Sequence, residues 1–262
     1  MIASLRSELV KLRQPAYWIG LAGMAAFMVI AMVISVSGAG DEASDRGPAG
    51  VVLSADQLAE ADGLARSLGN SITFIGVVAL TLVAVNIGTE YGQGTIRNML
   101  VRQPHRARLF LGKLAAILGF LAAAVVAASA VGIAVAPVLV PDDVGAVDWW
   151  SASGLLATAG GVGNIIVATW GWACLGVLLA VVLRSAPATI GVGVAYALPF
   201  EILLTVAAED VTRWLPGQLF QALAQGGTEA VSRAAALLGA VGWVAATVVV
   251  ALIIFQRRDV PD

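Results

Sequence analysis

The stretch SITFIGVVALTLVAVNIGT, residues 71–89, is a run of apolar and small residues without a charged side chain. A helix of this length rises about 28 Å, which is close to the roughly 30 Å hydrocarbon core of a bilayer. We therefore predict a transmembrane helix here. The composition agrees, because 59% of the 262 residues are hydrophobic and only 12% are charged, whereas soluble domains carry about 25% charged residues.

Five further apolar runs have the length of a membrane span. The first of them follows basic residues, as in a signal peptide. However, its apolar run exceeds the roughly 7 to 15 residues of a signal h-region, and we interpret it as a retained anchor. The six runs together predict an all-α integral membrane protein with a single transmembrane domain, residues 1–262. The five further runs are 16–36, 114–136, 164–183, 188–207 and 234–255.

The charges separate strongly when alternate loops are assigned to opposite sides of the membrane. One set of loops holds 11 of the 15 basic residues, and the other set is mainly acidic. Cytoplasmic loops carry the excess of Lys and Arg, so we predict that both termini face the cytoplasm. The expected location is the plasma membrane. The cytoplasmic cations are Arg6, Lys11, Arg13, Arg97, Arg102, Arg106, Arg108, Lys113, Arg184, Arg257 and Arg258.

Two segments outside the spans have helical patterns. Residues 1–14 are predicted to be an amphipathic interfacial helix, because apolar residues recur at three- and four-residue spacing. The external segment 38–70 contains a possible capping box, Ser54 with Gln57, ahead of a short amphipathic helix. The apolar residues of the first segment are Ile2, Leu5, Leu9 and Leu12.

Two other segments suggest local departures from a simple span. Residues 160–163, Gly-Gly-Val-Gly, are expected to form a flexible entry to the fourth span. Residues 209–233 are too long for a turn and too polar in places for a span. One or two short helices lying in the outer leaflet, or dipping into it, fit this external segment better.

The polar loop EYGQGTIRNMLVRQPHRARLFLGK, residues 90–113, gathers five cations against the single acid Glu90. The charge rule alone predicts a basic loop on this side. However, Thr95 is placed to cap a short helix, and Pro104 is placed to end it. A loop that only supplied the excess of Lys and Arg on the cytoplasmic side would need no helix. The helix therefore meets either a soluble protein or anionic lipid headgroups.

The sequence lacks the motifs of the common enzyme classes. No P-loop surrounds the Gly112-Lys113 pair, and there is neither a G-x-S-x-G elbow nor an H-E-x-x-H pair. The lone Cys174 and the lone His105 cannot assemble a metal site. The net charge of −2 gives no support to a nucleic-acid partner. We therefore expect no catalytic residue and no metal in this chain.

Around this polar loop the sequence resembles the permease subunits of ATP-binding-cassette transporters of the type-2 exporter class. The resemblance also covers nearly the whole chain, with its amphipathic amino-terminal helix, six spans and broken polar segment before the last span. The motifs that carry it are Glu90-x-x-x-Gly94-Thr95, Arg97-x-x-Leu100, Pro104, Arg106 and Gly112-Lys113.

This resemblance implies that loop 90–113 forms a cytoplasmic coupling helix, which docks on a separate P-loop ATPase subunit. That partner would bind ATP and Mg, and this chain would need no cofactor of its own. A second permease copy, identical or paralogous, would complete the path across the bilayer. The residues implied in coupling are Glu90, Gly94, Thr95, Arg97, Met99 and Leu100.

The expected activity is export of a lipophilic or amphipathic cargo, such as a drug, a lipid or an antibiotic peptide, because the spans are nearly free of charge. ATP hydrolysed by the separate subunit would drive it. The alternative is a membrane scaffold or assembly protein without its own translocation path.

Two polar residues inside the predicted spans are candidates for the path, Asn86 and Glu201. Glu201 lies about 20 Å into the fifth span, where a carboxylate is costly and normally faces a cavity or a partner. Pro199 could bend the helix there. Glu201 either lines the path or makes a structural pair with Arg213 or Arg66, unless the helix ends before it.

Overall fold

The computed structural model describes residues 14–37, 53–102, 105–140, 147–201, 203–204 and 212–257. Every regular element in these ranges is helical, which confirms the all-α class. The predictions for residues 1–13, for the first part of the external segment, for Pro104 and for 205–211 lie outside the described residues.

In chain order the helices are α1 (Pro15–Ser37), α2 (Ala55–Ala59), α3 (Gly63–Gly69), α4 (Ile72–Gly92), α5 (Thr95–Arg102), α6 (Arg106–Leu139), α7 (Ala152–Leu183), α8 (Ala186–Ala195), α9 (Pro216–Ala224) and α10 (Arg233–Arg257). Among the described residues five helices are long and apolar enough to cross a membrane, namely α1, α4, α6, α7 and α10. The fifth predicted span corresponds to a shorter apolar helix, Ala186–Phe200.

Two of the long helices begin earlier than the sequence suggested. Helix α6 starts at Arg106, so the second half of the basic loop is helical and continuous with the span. Helix α7 starts at Ala152 and runs through residues 160–163, so the prediction of a flexible glycine entry was wrong. A Cβ on Gly161 would lie 2.7 Å from the Cβ of Ala65. The small residue therefore serves close packing of α7 on α3 rather than flexibility.

The shorter apolar helix changes its winding at Pro199. After α8, residues Tyr196–Phe200 form a π-helical turn, and the N–H of Glu201 donates to the carbonyl of Tyr196. Proline has no N–H to donate and its ring clashes with the preceding turn, which accounts for a wider turn at this point.

Helix α7 is the centre of the bundle and packs against α4, α6, α8, α9 and α10. Its Trp172 is 1% exposed and its ring lies against Gly76 of α4, where a side chain would clash with the indole. Helix α1 packs mainly on α6. These contacts bring the ends of the helices together in two groups.

We call these two groups the charged end and the far end of the bundle. At the charged end α4, α7 and α10 finish, α6 begins, and α5 lies between α4 and α6. At the far end lie α2, α3 and the last residues of α9. The predicted capping box at Ser54 is confirmed, since its side chain and that of Gln57 bond to each other's backbone N–H groups. The amphipathic helix expected after it is divided into α2 and α3.

Candidate functional site

A buried ion pair joins α6 to α4 at the charged end. The Nζ of Lys113 lies 2.7 Å from Oε1 of Glu90 and donates to Oδ1 of Asn86, also at 2.7 Å. Glu90, Lys113 and Asn86 are 6%, 8% and 6% exposed. Asn86 and Glu90 are four residues apart on α4, so they lie on one face. A single ammonium group therefore bridges two successive turns of α4.

The same network reaches α1. The side-chain amide of Asn86 donates to the hydroxyl of Tyr17. The ring of Tyr17 also packs edge-on against Phe120 of α6, with centroids 5.5 Å apart. The polar contacts and this aromatic contact close a triangle among α1, α4 and α6. We call Tyr17, Asn86, Glu90 and Lys113 the Lys113 network.

Helix α5 is attached directly to this network. Gly94 takes a left-handed conformation with φ of 65°, which glycine adopts without a Cβ penalty, and the chain turns sharply there from α4 into α5. The hydroxyl of Thr95 donates to the carbonyl of Glu90 at 3.3 Å. Thr95 is the first residue of the helix, so its observed bond is to the end of α4 and not the capping bond that we expected.

One side of α5 covers an apolar cleft between the helix ends. Ile96 is 4% exposed, and Met99 lies beside it in the cleft. Val101, in contrast, is 80% exposed. The cleft also contains Glu90 and Lys113 and is lined by Ile87, Leu109, Phe110, Val181 and Phe255. The short helix thus rests on α4, α6, α7 and α10 and leaves Val101 exposed.

A second connection links the end of α4 to the turn between α7 and α8. The guanidinium of Arg184 lies over the ring of Tyr91, 5.6 Å from its centroid. Arg184 has a positive φ of 53° at the end of α7, and Ser185 caps α8. Gly88 of α4 approaches the backbone of Ala186, where a Cβ would lie 2.5 Å from the amide nitrogen. The α7–α8 turn is therefore packed tightly on α4.

Polar contacts connect α5 to the long helices of the bundle. Within the described residues no group of three or more His, Cys, Asp or Glu side chains could hold a metal ion. The cysteine, Cys174, is buried in α7. The Lys113 network connects α5 to α1, α4 and α6. Separating Lys113 from Glu90 would leave a charge unpaired in an apolar interior.

The structure brings Asn86 and Glu90 together around one ammonium group, and Gly94, Thr95 and Met99 lie in the adjoining turn and in α5. Arg97 and Leu100 lie in α5 beside them. Asn86 is a buried part of this network, and its predicted place in the transport path stays a prediction. Glu201 belongs to a different region, against the first turn of α9.

Sequence reasoning did not assign a role to Lys113 or Tyr17. The signal for Lys113 was present, since it is the last cation before an apolar run and Glu90 is the first acid after one. Consecutive antiparallel spans bring such ends together.

Comparison with known proteins supports one family. The family model for ABC-2 family transporter proteins matches residues 4–199, which is most of the chain. A comparison with curated proteins finds no match. The matched range includes the Lys113 network, α5 and four of the five long apolar helices. The five long helices of the described residues agree with a multi-pass membrane component. The protein belongs to the ABC-2 family of transporter proteins, whose members are the membrane permeases of ABC transporters and work with separate ATP-binding subunits.

Proposed function

We propose that this permease exports a lipophilic or amphipathic cargo, and that α5 is the coupling helix through which a separate P-loop ATPase drives it. The observation that carries the proposal is the attachment of α5 to the Lys113 network. Thr95 holds the start of α5 to the Glu90 carbonyl, and the Glu90 carboxylate binds Lys113. A second copy of the permease, identical or paralogous, would complete the conduit.

In this mechanism the ATPase pushes on the exposed side of α5 when it binds and hydrolyses ATP. Gly94 acts as the joint, because its left-handed backbone lets α5 pivot against α4. The displacement reaches α1 and α6 through the Lys113 network. It reaches α7 and α8 through Arg184, whose guanidinium rests on Tyr91. All four helices would therefore respond to one docking event.

The proposed orientation places the charged end and both termini in the cytoplasm, because the ATPase is a soluble partner and most cations lie on that side. A Cys174→Ala background with one new cysteine at Asn98 or at Glu229 tests this. We expect an impermeant thiol reagent applied to intact cells to label position 229 and not position 98. Labelling of position 98 from outside would overturn the orientation.

The docking role of α5 is tested with substitutions in α5 that leave the sequences of the long helices unaltered. Met99→Pro removes a backbone donor and breaks the helix, at a cost of about 3 kcal/mol within α5. Arg97→Glu reverses a charge on the same helix. We expect both variants to insert normally and to lose most ATP-driven transport, together with co-purification of the ATPase.

The matched control is Glu229→Lys, a charge reversal at an exposed position of the far end. It should leave co-purification and transport unchanged. Normal coupling in both α5 variants would contradict the assignment of α5. Failure of any P-loop ATPase to co-purify with the wild-type chain would instead favour a membrane scaffold.

A further inference from the structure

A buried carboxylate lies where the π-helical turn meets α9. Glu201 is 1% exposed, and its Oε1 accepts a hydrogen bond from the N–H of Gln218 at 3.0 Å. Its Oε2 lies against Gly217, where any side chain would clash with the carboxylate. The carboxylate thus sits at the amino-terminal end of α9, where the backbone N–H groups of the first turn point toward it.

The amino-terminal end of α9 lies inside the bundle. The last residues of α9 are tied to the far end, because Gln225 donates to Asn70 and Asn70 donates to Ser35, each at 2.8 Å. Its start lies beside the middle of α10, where Trp243 donates to the carbonyl of Trp214 at 3.2 Å. Helix α9 therefore runs inward from the far end, and Glu201 lies at its inner end.

The surroundings do not balance the charge of this carboxylate. Within the described part of the chain no cationic side chain forms an ion pair with Glu201. Arg66 is bound to Asp62 at 2.7 Å, and Arg213 lies over Trp214. The start of α9 supplies roughly half a positive charge. When ionised, the carboxylate is therefore only partly balanced, in a region where charge is costly.

A cluster of aromatic rings is built on the helical segments that flank the carboxylate. Trp172 lies 6.4 Å from Tyr196 and 5.7 Å from Phe220, measured between ring centroids. Tyr196 begins the π-helical turn that ends at Glu201, and Phe220 follows Gln218 by two residues. The Trp172 Nε1 and the Tyr196 hydroxyl are buried, and neither has a hydrogen-bond partner among the described residues.

These groups have the chemistry of a site for an organic cation. A carboxylate supplies the counter-charge, the faces of aromatic rings attract a cation, and apolar walls accept its substituents. A proton would neutralise Glu201 equally well, but it would make no use of the rings. A metal ion would need further oxygen ligands, which the described residues do not supply here.

We propose that Glu201, Tyr196, Trp172 and Phe220 form the binding site for the cationic group of a lipophilic organic cation, and that α9 covers this site and moves to admit it. The proposal rests on the transport function proposed above and names the class of its cargo. The bonds from Gln225 to Asn70 and from Trp243 to Trp214 hold the cover closed in this conformation.

Direct binding tests the site without the ATPase. The full-length chain in lipid nanodiscs is titrated with radiolabelled tetraphenylphosphonium, and empty nanodiscs give the background of membrane partitioning. We expect saturable binding that unlabelled tetraphenylphosphonium displaces and that neutral triphenylphosphine oxide, which carries three of the same phenyl groups, does not. Absence of saturable binding, or equal displacement by the neutral compound, would overturn the proposal.

Two variants separate the carboxylate from the rings. Glu201→Gln keeps the size and an acceptor for Gln218, and should weaken binding on the order of tenfold or more. Tyr196→Leu keeps the carboxylate and should weaken binding by about three- to thirtyfold. Glu229→Gln, an exposed acid at the far end, is the matched control and should bind as the wild type does.

The outcomes distinguish this site from the proposed function. Unchanged affinity in Glu201→Gln with a lowered thermal midpoint would identify Glu201 as a structural cap of α9 only and refute the site. Cation binding by a chain that recruits no ATPase would refute the proposed coupling and leave the site standing. If Glu201→Gln does not fold, Tyr196→Leu decides, since undiminished binding there would exclude the aromatic site.

Discussion

Replacing Lys113 by methionine is expected to destabilise the folded protein by about 3–5 kcal/mol, because it leaves the Glu90 carboxylate buried without its cation. Methionine keeps much of the volume of the lysine stem, so the loss reports the charge more than the packing. The exposed fractions of both side chains are at most 10%, so water cannot replace the ammonium without opening the helix ends. The thermal midpoint of the purified protein should fall by roughly 10 °C.

The double variant Glu90→Gln with Lys113→Met tests this explanation. It removes both charges, and replacement of a whole buried pair by neutral groups is often nearly neutral. We expect it to recover most of the lost stability but little of the transport, because the link from α5 to α6 stays weakened. The coupling energy from this double-mutant cycle isolates the interaction between the two residues.

Arg108→Met is the matched control, since Arg108 is an exposed cation on the same helix, five residues before Lys113. A solvated surface charge contributes little, so its loss should change stability by less than about 1 kcal/mol. A Lys113→Met variant as stable as Arg108→Met would show that the pair is not held in the folded state.

The long helices could be predicted from the sequence because an apolar run is a local property. Five of the six predicted spans have counterparts that are long and apolar enough to cross a bilayer. Their ends were less predictable. Helix α7 begins at Ala152 after the capping residue Ser151, and residues 160–163 remain helical where α7 packs on α3. No local signal distinguishes such a packed glycine segment from a flexible one.

The Lys113 network required information that the sequence does not carry locally. Glu90 was assigned to the coupling element through the resemblance of its motif, Glu90-x-x-x-Gly94-Thr95. Its partner depends on which face of α6 meets α4, and this is decided by packing across the bundle. The order of the helices indicates that the two ends meet, but not which cation meets the acid.

Glu201 was recognised from sequence as a costly acid inside a span, and a structural pair with Arg213 or Arg66 was one of the alternatives for it. Neither arginine pairs with it within the described residues. The group that meets the carboxylate is instead the backbone of α9, which lies 17 residues further along the chain. A backbone partner leaves no signature in residue types, and only the docking of α9 reveals it.

The second large effect is expected for Gly88→Ala in α4. A Cβ at this position would lie 2.5 Å from the nitrogen and 2.6 Å from the Cα of Ala186, and no rotamer change can relieve a clash with backbone. Overpacking of this kind costs about 1–3 kcal/mol, and the gain of up to about 1 kcal/mol in helix propensity offsets part of it. We expect a net loss of about 1–2 kcal/mol in the free energy of unfolding.

The same clash should impair function beyond its effect on stability. It forces the α7–α8 turn away from α4 and draws the Arg184 guanidinium off the ring of Tyr91, so movement of α5 would no longer reach α7 and α8. ATP hydrolysis by the partner should then continue while transport per ATP falls severalfold.

Gly92→Ala provides the control one turn along the same helix, because a Cβ there meets nothing within 4 Å. It changes the same residue type on the same helix and should gain up to about 1 kcal/mol from helix propensity. Chemical denaturation together with the ratio of transport to ATP hydrolysis compares the two variants. Equal stability and an equal ratio of transport to ATP hydrolysis in the two variants would mean that the contact between the α7–α8 turn and α4 does not matter for folding or coupling. If only Gly88→Ala loses both stability and transport per ATP, the α7–α8 turn is the second route by which a movement of α5 reaches the other helices.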